Sequence, residues 1–146
     1  MIDKKWIGHK LPKSELFLDR TRLKFFAKVI GETDPVYSDA EAARAAGHRD
    51  ILVPPTFLFA AELDSDATWK MVKDLEIPLM RILHGEQGFR YHKPVYAGDT
   101  VTVDSTITDI YEKKNGALEF VTKESRAVNH HGELVAELRA VLVIRN

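Results

Sequence analysis

Apolar residues repeat with two different periods along the chain, and the period changes near Pro78. Between Asp19 and Gly31, Leu23, Phe26, Ala27 and Ile30 fall at i, i+3, i+4 and i+7, the spacing of one helical face. Asp19 is placed to cap this helix and Gly31 to stop it. Ser38 followed by Glu41 reads as a capping box that opens a second, alanine-rich helix to Ala46, with Gly47 as its stop. Pro54-Pro55 precedes Thr56-Phe57-Leu58-Phe59-Ala60-Ala61, apolar on all sides, as suits a helix surrounded by other structure. A further helix is predicted from about Asp66 to Leu75.

Beyond Pro78 the period becomes two. Leu83, Phe89 and Tyr91 share one parity, as do Val101, Val103, Ile107 and Tyr111, then Leu118, Phe120 and Val128, then Leu134, Leu138, Leu142 and Ile144. Turn chemistry at Ala97-Gly98-Asp99, Asn115-Gly116 and His131-Gly132 divides them into four strands expected to pair as successive antiparallel neighbours. Trp6 to Leu18 supplies either a fifth strand or an extended lead-in. Strands this long, with one wholly apolar helix before them, pack most economically as a long curved antiparallel sheet wrapped around that helix. This is an α+β arrangement of hot-dog type. Open sheet edges and incomplete cover of the helix predict a dimer.

Composition narrows the function classes. The chain has 146 residues, no cysteine, and 21 basic against 22 acidic side chains for a net charge of -1. A chain this long buries about 70% of its unfolded surface, so residues 1–146 are expected to form one domain without staples or metals. No basic cluster points to nucleic acid or an anionic membrane surface. The absence of cysteine excludes disulfides, thiol nucleophiles and thiolate metal sites. The N-terminus carries no signal-like apolar segment and the longest uncharged run, Ile51 to Ala61, is too short to span a bilayer, so a cytoplasmic location is expected. Phosphate-binding glycine loops, Gly-x-Ser-x-Gly and zinc signatures are missing. His9, His48 and the His130-His131 turn pair lack metal-ligand spacing, so neither metal nor cofactor is expected.

The segment Gly31-Glu32-Thr33-Asp34-Pro35-Val36-Tyr37 resembles the G-D-x-N-P-x-H motif of the MaoC-like family of acyl-thioester hydratases and dehydratases. The resemblance extends through Asp39 and the following helix, Pro54-Pro55-Thr56-Phe57, Leu83-His84-Gly85-Glu86-Gln87, and Tyr91-His92-Lys93-Pro94-Val95 with Ala97-Gly98-Asp99. It is strongest to the N-terminal MaoC-like, fatty-synthase-like dehydratase branch. That branch includes poorly catalytic subunits of heterodimeric acyl-carrier-protein dehydratases. Glu32 stands where the motif has Asp, Asp34 where it has Asn, and Tyr37 where it has His.

In active members, the resemblance implies, the Asp and His hold a water that adds to the β-carbon of an enoyl thioester. Such chemistry needs a base, a proton source, and donors on the thioester oxygen. Glu32 can serve as a base with a chain one methylene longer. Tyr37 is a poor proton acceptor near neutrality but a competent hydrogen-bond donor. Glu32 and Asp34 are also candidates for a carboxylate pair with split pKa values; the plainer reading makes Asp34-Pro35 a turn. Amides of Thr56 and Phe57, at the start of the central helix, are the candidate oxyanion donors. His84 and Glu86 lie on the parity opposite Leu83, Phe89 and Tyr91 and are expected to leave the core. His84 and Gly85 are candidate substrate-binding residues, with pocket wall, dimer contact and a direct catalytic role as the readings of His84.

These readings imply a component acting on acyl groups carried by coenzyme A or acyl carrier protein. It is either a hydratase/dehydratase in its own right, as a homodimer, or the supporting half of a heterodimer whose MaoC-like partner has an intact motif. A non-catalytic acyl-thioester binding module and a hot-dog thioesterase are the alternatives.

Overall fold

Asp19 Oδ1 accepts the amide of Arg22 at 2.9 Å and opens helix α1, Arg20–Val29, which buries Leu23 and Ala27 and ends where Gly31 takes φ +75°. The computed structural model describes residues 1–146. Helix α2, Ala40–Ala45, is capped by Asp39 rather than by Ser38. Asp39 Oδ1 accepts the Glu41 and Ala42 amides at 2.8 and 3.3 Å. The carboxylate's charge suits the helix N-terminus, whereas Ser38 is occupied closing the preceding 3-10 turn, Pro35–Tyr37.

The central segment departs further from expectation. Thr56 is left-handed, at φ 73° and ψ -16°, and the chain continues as a 3-10 turn, Phe57–Phe59, into α3, Ala60–Leu63. This places Phe57, Leu58, Ala61 and Glu62 against the sheet. Helix α4 follows over Ala67–Asp74, matching the predicted span. No helix is long and apolar enough to cross a membrane.

Five strands form one antiparallel sheet: β1, Ser14–Phe17; β2, Ile82–Tyr91; β3, Thr100–Lys113; β4, Leu118–Asn129; and β5, Leu134–Arg145. Their order is β1-β3-β4-β5-β2. The lead-in therefore does supply a fifth strand, and β3, β4 and β5 do pair in succession. Strand β2 does not pair with β3, however; it crosses to the far side of β5. The Ala97-Gly98-Asp99 segment is not a hairpin, because its approach is already committed elsewhere. Val53 N–H bonds the Val95 carbonyl and Ala97 N–H bonds the Ile51 carbonyl, each at 2.9 Å, so this connection pairs with the loop leading to the central segment. The curled sheet on a short central helix is the expected hot-dog fold.

Inward residues build two apolar clusters, one around Leu18, Leu23, Leu58 and Val103, the other around Met71, Ile107 and Val121. Between them lies a buried polar rung. Glu62 of α3 accepts from Lys123 Nζ at 2.9 Å and from the Ser125 hydroxyl, and Ser125 lies 2.8 Å from the Ser105 hydroxyl.

Parity along β2 is broken by a bulge between His84 and Glu86. A Cβ on Gly85 would sit 2.6 Å from Val143 Cγ2 and 3.1 Å from the Val141 carbonyl oxygen, so the bulge requires glycine. In consequence His84 lies on the same face as Phe89 and Tyr91, with its ring 5.2 Å from that of Phe59. Leu83 takes the opposite face instead. This reverses the parity expected for both, while Glu86 does point outward, to Arg139 at 2.6 Å.

Candidate active site

The motif segment is organised by its own carboxylates. Glu32 Oε1 accepts the Asp34 amide at 2.9 Å, and Asp34 Oδ1 accepts the Val36 amide at 3.0 Å, capping the turn that carries Tyr37. Pro35 presets the first residue of that turn. Asp34-Pro35 thus has the local turn geometry of the plainer reading. Tyr37 is delivered to a cleft of about 310 Å³ between this turn and the end of β2.

Apolar walls come from Leu52, Val53, Pro54, Leu58 and Val95, and Tyr91 faces the cleft with Tyr37. Burial pushes the Tyr37 phenol above its ordinary pKa, and the negative charges of Glu32, Asp34 and an ionised Tyr91 add to the shift. Tyr91 is also raised by burial, offset in part by the Thr56 amide that bonds it. Both phenols therefore remain protonated donors across the neutral range. The other polar side chains on the cleft already have partners: His92 Nε2 lies 2.8 Å from Glu137, and the Lys93 ammonium meets Glu133.

Among the seven residues singled out from the sequence, only Tyr37 lines the cleft. Glu32 and Asp34 stand behind it and act on it by charge. The Thr56 and Phe57 amides are adjacent but not free as expected. Thr56 N–H donates to the Tyr91 hydroxyl at 2.8 Å and Phe57 N–H to the Pro54 carbonyl at 3.1 Å. His84 and Gly85 lie near the other end of β2, roughly 20 Å from Tyr91 at the usual rise per strand residue. They belong to the sheet edge rather than to the cleft. Tyr91 is what the sequence reading missed as a site residue. Its parity marked it as core, and only its place in the Tyr91-His92-Lys93-Pro94-Val95 stretch of the resemblance hinted otherwise.

A larger, shallow depression of about 1010 Å³ crosses the sheet's outer face, lined by charges of both signs such as Lys13, Arg90, Asp104 and Glu124. It lacks the apolar walls of the smaller cleft. No group of three or more histidine, aspartate or glutamate side chains is arranged to hold a metal ion.

A family model described as FAS1-like, dehydratase domain region, matches residues 5–138. The chain belongs to this dehydratase family. Within it, the family member is 37% identical to a UPF0336 protein of Streptomyces griseus, over 99% of this chain and 95% of that one. Its fold matches the C-terminally truncated HadBC (3R-hydroxyacyl-ACP dehydratase) complex of Mycobacterium tuberculosis with a TM-score of 0.82, at 24% identity over 94% of this chain and 96% of that one. It likewise matches a MaoC-like dehydratase with a TM-score of 0.85, at 22% identity over 97% of this chain and 42% of that one. These neighbours share the curled sheet and the hot-dog fold.

Proposed function

We propose that this chain is the supporting half of an acyl-thioester hydratase/dehydratase, acting on groups carried by coenzyme A or acyl carrier protein. The observation that carries the reading is the division of labour in the motif. Each of its two carboxylates accepts a local backbone amide and neither lines the cleft, while the residue delivered to the cleft is a phenol. Such a cleft offers donors and apolar wall but has no carboxylate among its lining residues to act as the base. Hydration of an enoyl thioester needs that base, and dehydration needs it to take the α-proton. A second MaoC-like chain with an intact Asp and His supplies it in this reading, while this chain contributes donors and apolar wall.

The open edge supports a partner. Strand β2 bonds only to β5, and Leu83, with the neighbouring Leu79 and Met80, remains exposed beside its free edge. A two-chain assembly is also what the HadBC neighbour forms.

The test is loss of the enoyl-thioester chromophore, followed with short and long acyl chains. The full chain alone is expected to turn over little, with activity appearing on addition of an intact-motif MaoC-like chain. Rapid turnover by the chain alone, abolished by Glu32→Gln, would overturn the supporting role and make the altered motif a working variant. Release of free thiol instead would mark a thioesterase.

A further inference from the structure

The Thr56 amide is held where it serves a phenol. A β-branched residue in the left-handed region is a backbone outlier that the surrounding structure must maintain. Here that conformation directs Thr56 N–H to the Tyr91 hydroxyl, 2.8 Å away. A tyrosine hydroxyl has one proton to give and two lone pairs. The amide takes one lone pair, and no protein group accepts the Tyr91 proton. A hydroxyl that accepts from an amide is polarised into a better donor. The phenol is protonated near neutrality in any case, and partial desolvation shifts it further upward.

The surroundings define what this donor meets. Its cleft has apolar walls at Leu52, Val53 and Leu58, and its histidine and lysine are engaged by Glu137 and Glu133. What remains unspent are the two phenols of Tyr37 and Tyr91. A small apolar cleft with convergent neutral donors suits an uncharged carbonyl oxygen attached to hydrocarbon better than it suits an ion.

We propose that Tyr91 is a substrate-binding residue: its hydroxyl, held by the Thr56 amide, donates to the thioester carbonyl oxygen of a ligand whose acyl chain lies against Leu52, Val53 and Leu58. Thr56 is then a positioning residue, acting through Tyr91 rather than on the ligand. This inference rests on the acyl-thioester reading above and assigns the carbonyl contact within it. It also accounts for the pairing of the Thr56 amide. The contact expected of that amide passes one group outward, to the phenol.

The experiment compares calorimetric binding of butyryl-CoA with that of its thioether analogue, S-butyl-CoA, which lacks the carbonyl. Tyr91→Phe keeps the ring and its stacking on Phe89. It is expected to weaken butyryl-CoA about tenfold and to leave S-butyl-CoA within about twofold, the effect of one lost hydrogen bond. Tighter thioester binding by Tyr91→Phe would overturn the inference, because the freed Thr56 amide would then be the true carbonyl donor. Equal loss for both probes, or no loss, would overturn it too, and in all three cases the acyl-thioester reading stands. Failure of the unaltered chain to bind either probe would overturn this inference, whereas the supporting-half reading falls only if no turnover appears with an intact-motif MaoC-like chain added. Infrared spectra of carbonyl-13C butyryl-CoA on the unaltered chain need no variant. The carbonyl band is expected to fall in wavenumber on binding, and an unshifted band overturns the contact.

Discussion

Thr56 shows how much chemistry one dihedral angle controls. At φ 73° its side chain has no capping hydrogen bond to compensate, so the conformation is upheld by what surrounds it, with the Tyr91 hydroxyl receiving its amide. Thr56→Gly removes the steric cost while keeping the amide. It is expected to raise stability by about 0.5–1 kcal/mol after the extra freedom glycine gives the unfolded chain, read as a higher urea midpoint at unchanged slope. Identity of the motif residues was legible in the sequence, and so was the shift from proton acceptor to donor at Tyr37. Side-chain commitment was not. Glu32 has the same composition whether it faces a ligand or the Asp34 amide, and only the local backbone path decides between them.

At the scale of elements, α1, α4 and the strand character of β3, β4 and β5 were readable because each is a repeated pattern over many residues. The faces were less so: a bulge between Ile107 and Asp109 turns Tyr111 to the face opposite Val101, Val103 and Ile107, and β4 buries Val121 and Ala127 rather than Leu118, Phe120 and Val128. Strand β2 was misread for the complementary reason. One extra residue at the Gly85 bulge exchanges faces for Leu83 and His84, and a two-residue period contains no mark of it. The α3–β4 contact was equally hidden, since Lys123 and Glu62 are far apart in sequence and each looks like a surface residue. Both side chains are nearly inaccessible, at 5% and 2% exposure, so each relies on the other. Lys123→Met strands Glu62 as a buried charge and is expected to cost about 3–5 kcal/mol in chemical denaturation. Combining it with Glu62→Leu is expected to recover most of that loss, because an apolar rung would then join the two core clusters. If the double variant is no more stable than the single one, the pair is not what holds α3 to β4.

At the scale of the whole molecule, the long free edge of β2 and its apolar neighbours are the features a monomer leaves unresolved. Leu83→Arg places a charge on the exposed face beside that edge, which blunts edge-to-edge pairing. It is expected to abolish co-sedimentation with an intact-motif MaoC-like chain without changing the far-ultraviolet circular dichroism. Persistence of co-sedimentation would place the interface elsewhere.

By itself the sequence determined the fold class, the helical first half, the three-strand meander and the place of the motif. Each is encoded by local spacing, by caps and turns, or by residues adjacent along the chain. Tertiary structure alone decided that β2 lies beyond β5, that Glu62 meets Lys123, and that Tyr91 rather than His84 reaches the cleft. Those outcomes depend on how distant segments compete for the same hydrogen-bonding partners. The pairing of the β2–β3 connection with Ile51 and Val53 is the instance that reorders the sheet.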